Sequence, residues 1–221
     1  MKARAAPRRR SGSDDALQRD QHESAFAGIL GDLVTRVPGA RAAALVDRDG
    51  ETVDYAGSRN PYDLKVAAAH LRIVLDQTLA QRSMAQALGE TRRVVVRASR
   101  ASLVVQRLPE SYALVLWLAR GAGFRGLTRA IPVCVRRLAR EAGWPASPSP
   151  WHAAEVLIDA RNAPRALRFA DREDPLEILG RFRTVLPENE RGWRVRTFSG
   201  IEFTLVRESC GFWYMDALVA E

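Results

Sequence analysis

The stretch whose residue types and spacing come nearest to an enzyme's is Gly121-Ala-Gly123-Phe-Arg-Gly126, a G-x-G-x-x-G run between a strand pattern and a helical pattern. Such a loop lets a pyrophosphate approach the backbone at a helix N-terminus. The same chemistry needs a following parallel strand that ends in a carboxylate about 20 residues on. The nearest carboxylate towards the end of a predicted strand, Asp159, lies 33 residues past Gly126 and beyond a Pro/Ser stretch. The strands before the run are joined by hairpin-length connections, which makes an antiparallel sheet. The run therefore reads as a turn into a helix, with a dinucleotide-binding enzyme kept as an alternative.

Other constellations resolve in the same direction. Arg129, Arg136 and Arg140 share one face of the helix after the glycine run, with Arg125 and Arg137 nearby. They are the candidate contacts to an acidic partner, against the plainer reading of a solvated charged face. Asp47, Asp49 and Asp54 surround an Asp-Gly turn but lack an EF-hand pattern, so a hairpin turn accounts for them. Trp193, Phe198, Phe203, Phe212, Trp213 and Tyr214 are interleaved with Arg194, Arg196 and Arg207. That pattern could make a stacking platform for nucleic acid, but core packing or a protein-binding face fits better. His22, His70 and His152 lie far apart, and Cys134 and Cys210 form no paired motif, so the thiols read as buried. No Ser/His/Asp or Cys/His arrangement is present. The expectation is no catalytic residue, no metal and no cofactor.

The formal net charge is +8, distributed as +3 over residues 1–20, +7 over 21–150 and −2 over 151–221. Lys2 and Lys65 are the only lysines, so the excess is arginine. A basic surface can attract nucleic acid, a membrane or an acidic protein. Nucleic-acid binding through the basic tail and the arginine-rich helix is thus a second alternative. No apolar run reaches the length of a membrane span, and the charged N-terminus lacks a secretory h-region, which reads as a cytoplasmic protein.

The elements that would position these residues follow from periodicity. Residues 1–21 have none and are expected to be a disordered basic tail. A helix fits 22–37 through Phe26, Ile29, Leu30, Leu33 and Val37, stopped by Pro38-Gly39. Strands at Ala42–Val46 and Glu51–Ala56 flank Asp49-Gly50 as a hairpin. A long helix runs from Pro61 to about Gln86, apolar at Leu64, Ala67, Ala68, Leu71, Val74, Leu75, Thr78 and Leu79. Strands at Arg92–Ala98, Ser102–Leu108 and Tyr112–Ala119 form a meander, and a helix at Leu127–Ala142 contains Pro132. Residues 144–151, with PASPSP at their centre, read as a linker. Residues 152–221 predict a small α+β domain, with strands at 155–160, 166–170, 193–198, 201–206 and 212–218 and a short helix at 175–184.

The stretch ILGDLVTRVPGARAAALVDRDGETVDYAG (29–57), the 61–86 helix and the ALVLWLA strand together resemble the Roadblock family, the dynein light-chain and bacterial GTPase-regulator group. The resemblance covers residues 22–143 and rests on patterning and turn chemistry. It implies an α+β, roadblock/longin-like fold in the order α-β-β-α-β-β-β-α, with a five-stranded antiparallel sheet flanked by helices. It also implies a homodimer joined across the strand after the long helix, placing Leu64, Ala68, Leu71, Leu75, Val94, Val95 and Val96 at the interface. The implied role is a non-enzymatic regulator or scaffold for a small Ras-like GTPase, possessing no arginine finger that any motif identifies. Arg92, Arg93 and Arg97 could instead be charges that block the strand edge.

Overall fold

In the computed structural model, the described residues are 19–216, apart from 82–85, 87–88, 90, 125, 146–149, 171, 183–185 and 187–188. Helix α1 (Ala25–Arg36) opens on Ser24, whose hydroxyl accepts the Phe26 N–H. Strands β1 (Ala40–Val46) and β2 (Thr52–Gly57) form the expected hairpin, and Asp47 shapes its turn by accepting the N–H groups of Asp49 and Glu51. Helix α2 (Pro61–Ala80) starts on Asn60, which accepts from Tyr62 and Asp63, with proline at the first helical position where its missing N–H is harmless. Strands β3 (Arg93–Arg97), β4 (Ala101–Arg107) and β5 (Ala113–Ala119) make the meander, and α3 (Leu127–Ala142) follows. Pro132 sits within α3 without delaying its start.

The sheet is antiparallel throughout, in the order β2-β1-β5-β4-β3. Central β1 and β5 are apolar on both faces because both faces are covered. On one face Leu30, Leu33, Leu45, Leu116, Ile131 and Leu138 join α1 and α3 to the sheet. On the other, Ala42, Ala44 and Val115 meet Leu64, Ala68, Leu71 and Leu75 of α2. The alanines of β1 let α2 approach closely. At the end of β2, Gly57 has φ +122°, and a Cβ there would stand 2.3 Å from the Arg41 carbonyl oxygen.

Residues 152–215 depart from the expected small α+β domain. They form a closed six-stranded barrel of β6 (His152–Ile158), β7 (Pro164–Phe169), β8 (Arg172–Phe182), β9 (Arg191–Thr197), β10 (Glu202–Arg207) and β11 (Trp213–Met215). The helix expected at 175–184 is strand β8. Its pairing with β9 shifts register between Ile178 and Gly180, so Leu179 is an extra residue. This bulge breaks the two-residue alternation. It leaves Leu176, Leu179 and Phe182 at three-residue steps, which imitates a helix. The barrel core holds Leu167, Trp193, Val195, Phe203, Leu205, Trp213 and Met215.

Arg19, Asp20 and Gln21, expected to continue the tail, lie against β2; residues 1–18 fall outside the described part. Arg19 donates to the Tyr55 carbonyl and Gln21 to that of Val53. Buried Asp54 gathers the Arg19 guanidinium, the Ser24 hydroxyl and the N–H groups of Ser24 and Tyr55. Burial pushes its pKa up, but these donors outweigh it and hold the carboxyl below its ordinary value. The stability this adds is present above the unfolded-state pKa and is lost as pH falls through the lowered folded value.

Two outcomes follow. Gly57→Ala is expected to cost at least about 2 kcal/mol in chemical denaturation, from backbone collision and strain. Asp54→Asn is expected to lower stability at neutral pH and to flatten its fall below about pH 4, measured by denaturation across pH.

Candidate functional site

The two edges of the sheet are treated differently by the chain. The β2 edge is covered by residues 19–21, of which Arg19 and Gln21 donate to its carbonyls and Asp20 accepts from the Tyr55 hydroxyl. The β3 edge pairs only with β4, and no described segment lies on its outer side. At its heart are Val94, Val95 and Val96. Val94 and Val96 are half-buried against the α2 side of the sheet, while Val95 faces the other side and is 43% exposed.

Two of the three arginines that could block this edge, Arg93 and Arg97, turn back onto their own unit. Arg93 donates its Nε–H to Gln106 on neighbouring β4 at 2.9 Å. The Arg97 guanidinium stands 4.3 Å from the centre of the Phe124 ring. Desolvation lowers the Arg93 pKa from its ordinary value. The edge is left apolar at its centre, with its backbone groups open to a further strand.

Helix α2 lies across β1, β5 and β4, on the face bearing Val94 and Val96. Leu64, Ala68, Leu71 and Leu75, expected at a dimer seam, are all buried against the chain's own sheet. A helix carries neighbours three and four residues apart on one side, so these four already fill the inward side. The outward side displays Val66, Ile73 and Val74, exposed by 38%, 54% and 38%. These were missed as a separate feature because α2 is apolar over more than one face. The breadth of its apolar pattern was the available signal. Val66, Ile73 and Val74 on α2 and Val95 on β3 are therefore exposed apolar positions, on opposite sides of the sheet.

The arginine face of α3 is divided by the fold. Arg129 is buried and forms ion pairs with Glu190 at 2.9 Å and Glu208 at 3.2 Å. Its guanidinium also stands 4.9 Å from the Trp151 ring centre. Arg136 donates to the Trp151 carbonyl and to His152 Nδ1, both at 2.7 Å. Arg129 and Arg136 thus join the sheet unit to the barrel and are not presented to another protein; Arg140 is exposed. At the same joint, Arg36 of α1 lies 5.1 Å from the Phe212 ring centre. Burial pushes the Glu208 carboxyl above its ordinary pKa, partly opposed by Arg129.

The glycine run packs against the turn between α1 and β1. A Cβ on Gly39 (φ +82°) would stand 2.6 Å from the Ala122 Cβ, so this turn lies directly on the run. The helix it enters is followed by no parallel strand, and Asp159 instead accepts the N–H groups of Arg161 and Ala163 in a turn. The dinucleotide alternative thus loses the layout it required. Cys134 is buried, its thiol pushed up to about 12 by desolvation, but Cys210 is exposed, contrary to expectation. The aromatic cluster is mainly core, with Trp193 and Trp213 rings 5.0 Å apart; Phe198 is the exception, at 92% exposure. Among the described residues no helix is long and apolar enough to cross a membrane.

The sheet unit is similar to solved Roadblock/LC7 domains. One from Streptomyces avermitilis is 24% identical, with 52% of this chain and 95% of that one covered and a TM-score of 0.44. The gliding protein MglB from Thermus thermophilus is 22% identical, with 55% and 94% covered and a TM-score of 0.47. MglC from Myxococcus xanthus is 23% identical, with 52% and 98% covered and a TM-score of 0.37. No protein-family model and no curated protein matches the chain.

Removing Arg129 would leave two buried carboxylates without their cation. Arg129→Ala is therefore expected to cost about 3–5 kcal/mol in urea denaturation. Arg140→Ala is expected to stay within about 0.5 kcal/mol.

Proposed function

We propose that the chain is a Roadblock-type regulator or scaffold that homodimerises through β3 and the outer face of α2 and presents the assembled surface to a small Ras-like GTPase. The observation that carries the dimer is the open β3 edge, apolar at Val94–Val96, together with Val66, Ile73 and Val74 exposed on α2. An antiparallel β3–β3 pairing across a two-fold axis would satisfy the free backbone groups and continue the sheet into a second copy. The α2 helices would then cover the seam with their outward side, leaving Leu64, Ala68, Leu71 and Leu75 in each protomer's own core. The GTPase partner rests on the resemblance carried by the PGA-to-AALVDRDGE segment and the ALVLWLA strand. The role is non-enzymatic in its own right, and any effect on GTP hydrolysis would be exerted on the partner's site. The cytoplasm is the compartment this role requires.

The dimer is tested by size-exclusion chromatography with light scattering on the full chain. The expected mass is twice the 24.5 kDa of one chain. Ile73→Glu and Val95→Glu, both at exposed positions, are each expected to weaken association at least about 100-fold, equivalent to about 3 kcal/mol, with an unchanged circular dichroism spectrum. A wild-type monomer at high micromolar concentration contradicts the reading. For the partner, pulldown of Ras-like GTPases from the same genome should show retention that depends on GDP or GTP. No retention, or retention indifferent to nucleotide, counts against it.

A further inference from the structure

One end of the barrel concentrates positive charge in a region whose net charge is −2. Arg161 from the β6–β7 turn, Arg181 of β8 and Arg191 of β9 line a cleft of about 190 Å³, together with Phe182, Gly192 and Trp193. All three arginines are exposed, and none forms an ion pair with a described residue. Four other barrel arginines, Arg165, Arg168, Arg194 and Arg196, each meet a glutamate. Asp159 interacts electrostatically with Arg161 and Arg181 but is held by two backbone N–H groups. Three guanidinium groups and no carboxylate are among the residues that line the cleft.

A second observation is independent of charge. Trp193 lines the same cleft, is 2% exposed, and its indole N–H has no acceptor among the described residues. Buried indole N–H groups ordinarily find a partner. Gly192 leaves space for the Phe182 ring, since a Cβ there would stand 2.4 Å from it, so the cleft has a fixed aromatic wall.

We propose that this barrel mouth binds a phosphoryl group. Arginine forks match the oxygens of a tetrahedral oxyanion, and a phosphate can engage several at once where a carboxylate offers two oxygens. The cleft is smaller than the roughly 300–1,000 Å³ of pockets that enclose drug-sized ligands. It therefore takes the charged group alone and leaves whatever carries it outside. The site belongs to the barrel, not to the sheet that carries the β3 edge, and stands whether or not the chain dimerises.

The test follows the five tryptophan indole N–H resonances of the full chain by nitrogen-15 NMR, with Trp193→Phe identifying the one that matters. Titration with inorganic phosphate at fixed ionic strength should shift the Trp193 resonance saturably, with half-saturation in the low millimolar range or below. Acetate should need at least tenfold more. Arg181→Gln and Arg191→Gln should each weaken the phosphate response at least tenfold with an unchanged melting temperature, because both side chains are exposed. Phosphoserine binding at least as tightly as phosphate identifies a phosphomonoester on a larger partner as the source; weaker binding identifies the free ion. An unsaturable response, equal potency of acetate, or full retention of the response in the arginine variants overturns the proposal.

Discussion

A five-stranded sheet with two apolar faces has two edges to settle, and the rest of this structure follows from how it settles them. Stacking α1 and α3 on one face and α2 on the other removes the faces from water. The β2 edge is closed by Arg19 and Gln21, whose positions are in turn fixed through buried Asp54. Among the described residues the β3 edge has no such cover. An open apolar strand edge can pair with other chains, so a defined partner strand would turn a hazard into an interface.

The barrel is attached on the opposite chemical principle. Its joint to the sheet unit is a buried charge cluster, Arg129 between Glu190 and Glu208, supported by Arg136 on Trp151 and His152 and by Arg36 over Phe212. Burying ions is costly unless each is paired, so the joint fixes one relative arrangement more than it adds stability. The arginine excess that the sequence displays is therefore heterogeneous. Some of it ties the two units together, some neutralises glutamates along the barrel strands, and a remainder gathers at the barrel mouth.

Much of the sheet unit was legible because its signals are local. Pro38-Gly39, the Asp-Gly turn and Asn60-Pro61 mark stops and starts, and the strand order within the meander follows from short connections. The strand bounds came within a residue or two. Other features depend on contacts made far along the chain. The helix expected at 175–184 failed because a single-residue bulge gave β8 a three-residue spacing, which no local rule separates from a helical turn. Leu64, Ala68, Leu71 and Leu75 were assigned to a seam because apolar positions identify a buried face without saying what buries it. Arg129 and Arg136 looked like surface charge because the glutamates and the Trp151 carbonyl that hold them come from residues 151–208.

The central claim is that β3 pairs with its own copy. Hydrogen exchange of the Val94–Val96 amides, measured by mass spectrometry on the full chain at low and high protein concentration, tests it most directly. Protection across this segment that rises with concentration, while β1 and β5 amides stay equally protected throughout, is the predicted result. Protection of Val94–Val96 that is independent of concentration from nanomolar to high micromolar would contradict it.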